Sequence, residues 1–285
     1  MKFILQAGNW YDRWSKIENA VPEAESLGFW GFAMPDHYMW GEERGGNSTL
    51  ETWTALTFLA ARTERIKIGT LVTPIPLRPP GLLAKLISTL DLLSGGRSFL
   101  GVGAGWSRSE FEGYAEWDEP STRVEKTQEG IELILRLWSE KGAVDFEGKY
   151  YCAKGAVLSP KPLQKPHPPL LFGSVGRRML RMAGRYADIC CIPPWTQLEF
   201  EKAKEIVLES AREHSRRNED ISFAELSFFG YGTWERNRVY KREEAFLSVS
   251  KSKERGSEYF ITGFPHETYL ESMRDFARNV IPSFS

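Results

Sequence analysis

The run Met34-Pro35-Asp36-His37-Tyr38-Met39-Trp40 sets a carboxylate beside an imidazole and follows them with an indole. Histidine exchanges protons near neutral pH, and an adjacent carboxylate can fix its tautomer and raise its pKa. Asp36 and His37 are therefore candidates for proton handling, and Trp40 for stacking on a planar ligand. The alternative use of the same pair is a structural Asp–His hydrogen bond beneath a surface loop. A second candidate is Gly173-Ser174-Val175-Gly176-Arg177-Arg178. Small residues opening a helix leave backbone N–H groups free, and the arginines add positive charge, which together suit a phosphate. An ordinary loop with solvated arginines is the other reading. Gly101-Val102-Gly103-Ala104-Gly105-Trp106 has three alternate glycines that let the backbone approach something closely, but not the spacing of the dinucleotide fingerprint. Finally, Gly69-Thr70-Leu71-Val72-Thr73-Pro74-Ile75-Pro76 is either a bulge lying against a planar ligand or a strand that stops at proline.

These segments share a position: each follows an apolar β-type run. Strand patterns fall at 2–7, 31–34, 66–71, 98–102, 170–172, 189–192, 222–231 and 258–262. Helical patterns fall between and after them, at 15–27, 51–63, 81–93, 122–138, 177–186, 198–217, 241–253 and 266–280. Strict alternation implies a parallel sheet with right-handed crossovers, and eight units predict a closed (β/α)8 TIM barrel, an α/β fold, as one domain over 1–285. Residues 142–169 interrupt the alternation with a predicted hairpin (143–146 and 149–152) and the run Lys161-Pro162-Leu163-Gln164-Lys165-Pro166-His167-Pro168-Pro169. They read as an excursion on the barrel. In such a barrel the active site lies at the C-terminal ends of the strands, where the candidate residues fall.

Composition narrows the possibilities. With 37 Lys+Arg against 38 Asp+Glu the net charge is −1, which argues against nucleic acid or an anionic membrane surface as a partner. Four histidines and three cysteines show no metal-ligand spacing, so no metal is expected, and the adjacent Cys190 and Cys191 read as small buried thiols. The opening MKFILQAGNW has no long apolar run, so a cytoplasmic protein is expected.

In combination, these segments resemble the bacterial luciferase-like flavin and deazaflavin superfamily, within it the branch using coenzyme F420. Leu90-Asp91-Leu92-Leu93-Ser94-Gly95-Gly96-Arg97 running into Gly101–Trp106 carries the resemblance, as do the Pro160–Pro169 run, the 173–178 loop with Ala183-Gly184-Arg185-Tyr186-Ala187-Asp188, and Gly263-Phe264-Pro265. The resemblance implies a barrel holding an isoalloxazine-type ring at its mouth, a non-prolyl cis peptide at Leu71-Val72 behind that ring, Asp36 near it, and His37 moving a proton. It makes Leu71, Val72, Thr73, Gly103, Gly105 and Trp106 expected cofactor contacts. Gly173, Ser174, Val175, Gly176 and Arg177 are then the phosphate loop, and a homodimer is implied. One departure stands out. Sugar-phosphate dehydrogenases of this branch place an acid after the glycine-rich strand end, where this chain has Trp106, with Glu110 one turn further on. The segment 234–253, which usually shapes the substrate pocket, carries no match.

The expected activity is hydride transfer between F420 and a small organic substrate. The alternatives are a monooxygenase using reduced FMN and oxygen, and a barrel that binds cofactor without turnover. The substrate itself, and the direction of transfer, are not specified by these residues.

Overall fold

The computed structural model describes residues 1–39, 48–229 and 239–285. Its strands are β1 (Lys2–Gln6), β2 (Gly31–Met34), β3 (Lys67–Thr70), β4 (Thr73–Pro74), β5 (Ser98–Gly103), β6 (Val144–Glu147), β7 (Cys152–Ala156), β8 (Leu170–Gly173), β9 (Ile189–Ile192), β10 (Ser222–Phe228) and β11 (Tyr259–Gly263). Eight of them, in the order β3-β2-β1-β11-β10-β9-β8-β5, are parallel neighbours, and β3 pairs with β5 to close the ring. The closed parallel barrel is the architecture expected from the alternation. Helices α1 (Trp14–Ser26), α2 (Thr52–Ala61), α3 (Pro80–Leu93), α4 (Arg108–Tyr114), α5 (Pro120–Ser139), α6 (Arg177–Tyr186), α7 (Phe200–Glu213), α8 (Arg242–Glu254) and α9 (Tyr269–Asn279) accompany the strands. Among the described residues no helix is long and apolar enough to cross a membrane.

Side-chain alternation along each strand divides the core in two. One set faces the barrel axis: Ile4, Ala33, Phe99, Leu171, Ile189, Cys191, Ala224, Leu226 and Ile261 form a small cluster. The other set, including Phe3, Leu5, Phe32, Leu100, Phe172 and Phe260, packs outward beneath the helices. Every residue of β2, β5, β9 and β11 is buried, which is why these strands read as continuous apolar runs. Arg97 ties the α2 exit to β5. Its guanidinium donates to the carbonyls of Ala60 (2.7 Å), in the last turn of α2, and of Thr63 (2.9 Å) and Ile66 (3.0 Å), in the connection that follows.

Several boundaries differ from the expected ones. The excursion does hold an antiparallel hairpin, but its second strand is 152–156 and not 149–152. The amides of Lys149, Tyr150 and Tyr151 are held by the Glu129 carboxylate of α5, at 3.0, 2.8 and 2.5 Å, and cannot join a ladder. The last helix starts at Tyr269, after a turn at 266–268. β10 ends at Phe228, and the end of the anticipated 222–231 strand falls outside the described residues. Helix α4 has no counterpart in the predicted pattern.

Candidate active site

β2 ends at Met34, and the chain then carries Asp36 and His37 to the barrel mouth. Asp36 is wholly buried. Its Oδ1 and Oδ2 accept hydrogen bonds from Nη2 and Nε of Arg78, both 2.7 Å, and Oδ2 accepts another from the Thr73 hydroxyl at 2.9 Å. This is the two-pronged guanidinium–carboxylate arrangement that fixes both partners. Arg78 Nη2 also donates to Glu51 at 2.6 Å, and the guanidinium lies 4.9 Å from the Tyr38 ring centre. Burial pulls the Arg78 pKa down, but the hydrogen bond and charge of Asp36, with Tyr38 and Glu51 behind them, more than offset this and raise it. Glu51 is pushed up by burial and held down overall by Thr54 and Arg78, while its carboxylate caps the first turn of α2.

The expectation that Asp36 orients His37 is therefore overturned. Successive side chains diverge as the chain leaves the strand, and the Asp36 carboxylate belongs to Arg78. The partner of His37 is Glu110, whose Oε2 lies 2.9 Å from Nδ1. Glu110 Oε1 accepts from the backbone amides of Tyr38 (2.6 Å) and Met39 (3.3 Å). Both side chains are buried, with His37 7% and Glu110 1% exposed. A carboxylate can only accept, so Nδ1 is the donor of this hydrogen bond and Nε2 is the ring nitrogen turned away from Glu110. On the other side, Asn9 Nδ2 donates to the His37 carbonyl at 2.7 Å and to the Leu50 carbonyl at 2.9 Å. Trp106, exposed at 63%, meets the imidazole edge to face at 5.6 Å. Trp40 lies outside the described residues.

The alternate glycines turn out to face their own chain. A Cβ on Gly101 would fall 1.9 Å from the Thr70 carbonyl oxygen, and one on Gly103 would fall 2.4 Å from Val72 Cγ2. Gly105 adopts φ +83°, and a Cβ there would strike the Phe111 ring at 2.5 Å. The three positions thus let β5 close on β3, on Val72 and on α4, so each glycine has a packing role within the chain. Gly173 packs against Val72 in the same way, with a notional Cβ 2.9 Å from Val72 Cγ1. The Leu71–Val72 peptide is cis, and Thr73–Pro74 then re-pairs with Val102–Gly103.

The 173–178 loop enters α6 with Gly176 at the N-cap and no side chain closing the turn. A Cβ on Gly176 would meet nothing within 4 Å. Ser174 is buried with its hydroxyl turned towards the Met179 carbonyl, whereas Val175 and Arg177 are exposed. Arg178 pairs with Glu125, and Arg177 makes no ion pair among the described residues. Open first-turn amides beside an unpaired guanidinium form a donor set that fits a phosphate group. Among the described residues, no three His, Cys, Asp or Glu side chains gather as metal ligands.

The model of the luciferase-like monooxygenase family matches residues 4–269. This chain belongs to that family. Within the luciferase-like proteins it is 37% identical over 167 residues to an F420-dependent glucose-6-phosphate dehydrogenase of Microbacterium testaceum (strain StLB037), covering 58% of this chain and 48% of that one. A Nocardia farcinica (strain IFM 10152) protein of the same name is 34% identical over 204 residues, 70% of this chain and 59% of the relative. An FMNH(2)-dependent dimethylsulfone monooxygenase of Pseudomonas putida is 34% identical over 145 residues, 50% of this chain and 39% of that one. The chain thus spans about half the length of the curated relatives it matches. An F420-dependent secondary alcohol dehydrogenase, solved with an F420-acetone adduct, shares the luciferase-like fold with a TM-score of 0.84 at 21% identity, over 100% of this chain and 99% of that one.

Sequence reasoning missed Arg78 and Glu51 altogether and noted Glu110 only as an acid one turn past Trp106. Arg78 did leave a signal: it is the lone charge in the otherwise apolar stretch 71–84.

Proposed function

We propose that this luciferase-like protein is an F420-dependent oxidoreductase that transfers a hydride between the deazaflavin and a small organic substrate bearing a hydroxyl or carbonyl group. The observation that carries the reading is the His37–Glu110 pair at the mouth of the barrel, together with the relatives named for F420. When bound, the deazaflavin supplies a ring carbon that accepts or gives a hydride.

The protein's own part follows from its geometry. The first-turn amides of α6 and Arg177 bind the cofactor phosphate. Val72, Thr73 and Gly103 lie where the ring is expected to rest. His37 Nε2 takes the proton of a substrate hydroxyl as hydride leaves the neighbouring carbon, and returns it in the reverse direction. The Glu110 carboxylate holds Nδ1–H and stabilises the imidazolium formed at that moment, a role worth about 10²–10⁴-fold in rate for a well-placed base. Asp36, neutralised by Arg78, acts as scaffold: the ion pair pins the β2 exit to the chain leaving β4. The enzyme is further read as a cytoplasmic homodimer.

Fluorescence titration of the purified protein with F420 and with FMN tests the cofactor. F420 is expected to bind at micromolar concentration or below and FMN weakly. Tight FMN binding with no response to F420 reverses the assignment in favour of a reduced-flavin monooxygenase.

A further inference from the structure

Gln6 is the last residue of β1, and it is 5% exposed. It lies two residues beyond Ile4, a member of the axial cluster, while Phe3 and Leu5 point outward beneath the helices. Alternation therefore turns the Gln6 side chain to the barrel axis, at the mouth end of its strand. It pairs with Ala33 of β2, another axial residue. Its backbone carbonyl also accepts from the Tyr269 hydroxyl at 2.9 Å. The side-chain Oε1 is wholly buried and has no hydrogen-bond donor among the described residues. A buried acceptor without a partner is uncommon and calls for an explanation. Here it faces the end of the barrel where Val72, Gly103 and Gly173 pack together.

We propose that Gln6 binds the pyrimidine edge of the cofactor ring. A primary carboxamide and a cyclic imide are complementary: Oε1 accepts from the imide N–H while Nε2 donates to the adjoining carbonyl. Deazaflavins and flavins share this imide, so the assignment concerns ring recognition and not the choice between them. It rests on the reading of the barrel mouth as a cofactor site.

The test is Gln6→Met, which keeps the length of the side chain and removes both hydrogen-bonding groups. The wild type and the variant are titrated with F420 and FMN, and the melting temperature is measured alongside. The expected result is a loss of affinity on the order of tenfold for whichever ring the wild type binds, with an unchanged or higher melting temperature. N3-methyl-FMN, which lacks the imide proton, should bind the wild type less well than FMN and lose little more in the variant. Equal affinities in wild type and variant overturn the proposal alone, since the site would still hold a cofactor. Binding of FMN but not F420 overturns the F420 assignment and leaves this test to run on FMN. Binding of neither by the wild type overturns both. Gln6→Leu repeats the measurement should the methionine variant fold poorly.

Discussion

Replacing Glu110 with glutamine isolates the proton-handling pair. The substitution preserves shape but gives the side chain one acceptor arm and one donor arm. The backbone amides of Tyr38 and Met39, at 2.6 and 3.3 Å, can only donate, so they select the new carbonyl oxygen. The amide nitrogen is then left facing His37 Nδ1, 2.9 Å away in the parent, and must donate to it. The imidazole proton is driven to Nε2, and the atom proposed to accept a proton from substrate no longer has its lone pair. Turnover should fall by about 10²–10⁴-fold, the usual contribution of a positioned acid–base group. Exchanging a charged acceptor for a neutral one should cost about 1–2 kcal/mol of stability, a shift of a few degrees in melting temperature. F420 affinity should hardly change, because the phosphate loop is expected to carry most of the binding. Steady-state deazaflavin absorbance, fluorescence titration and calorimetry on the same preparation read the three quantities. A variant that turns over at close to the parent rate would refute the tautomer argument, and with it the role given to His37.

Arg177→Glu sets a negative charge at the open N-terminus of α6 and should weaken cofactor binding without unfolding the barrel, as fluorescence titration will read. Arg78→Leu strands the buried Asp36 carboxylate and should destabilise the protein by about 3–5 kcal/mol in denaturant melts. Glu25 accepts the amides of Glu64, Arg65 and Ile66 at 2.9, 2.6 and 2.8 Å; burial pushes its pKa up, but these bonds prevail and hold it below the ordinary 4.5. A lowered folded-state pKa contributes stability above that ordinary value and loses it as pH falls through the folded one. The deficit of Glu25→Gln should therefore be full at neutral pH and vanish in acid, which melting curves across pH will show. Burial pushes the Cys190 thiol up to about 12 and Cys191 up as well, whereas Cys152 is exposed, so a thiol reagent should titrate one group in the folded protein and all three after denaturation.

The barrel was legible because each buried strand leaves a short apolar run and most of the helices between them a longer pattern with one apolar face. Gly31–Met34 and Ile189–Ile192 match the sequence reading residue for residue. Helix α4 left no such trace: its seven residues are too few to show a face, and a helix that short forms only through tertiary contacts. The site was legible where chemistry sits at a strand end, as with His37, and illegible where it depends on pairing across the chain. Asp36 and Arg78 are 42 positions apart, and His37 and Glu110 are 73 apart. Neighbours in sequence suggested an Asp36–His37 pair, and backbone divergence gave each a distant partner. The alternate glycines were legible only in part for a related reason. Sequence indicates that a backbone comes close to something there, but not whether that something is a ligand or the adjoining strand.

The packing of Phe111 beneath Gly105 bears on how such sites diverge. Phe111 fixes the rotation of α4 and thereby the direction in which its neighbour Glu110 reaches. The carboxylate is delivered by a short surface helix and not by the barrel wall, so its place along the chain is free to drift while its place in space is kept. The resemblance drawn from sequence seeks an acid at Trp106, whereas the carboxylate that meets the imidazole is Glu110, one turn further on. The segment between β5 and α5 can change and still present a carboxylate to the imidazole, provided a glycine and an aromatic ring lock the helix in register. Redesign of the site has the same latitude: the loop can be rebuilt around a fixed point beside the imidazole while the eight strands are left untouched.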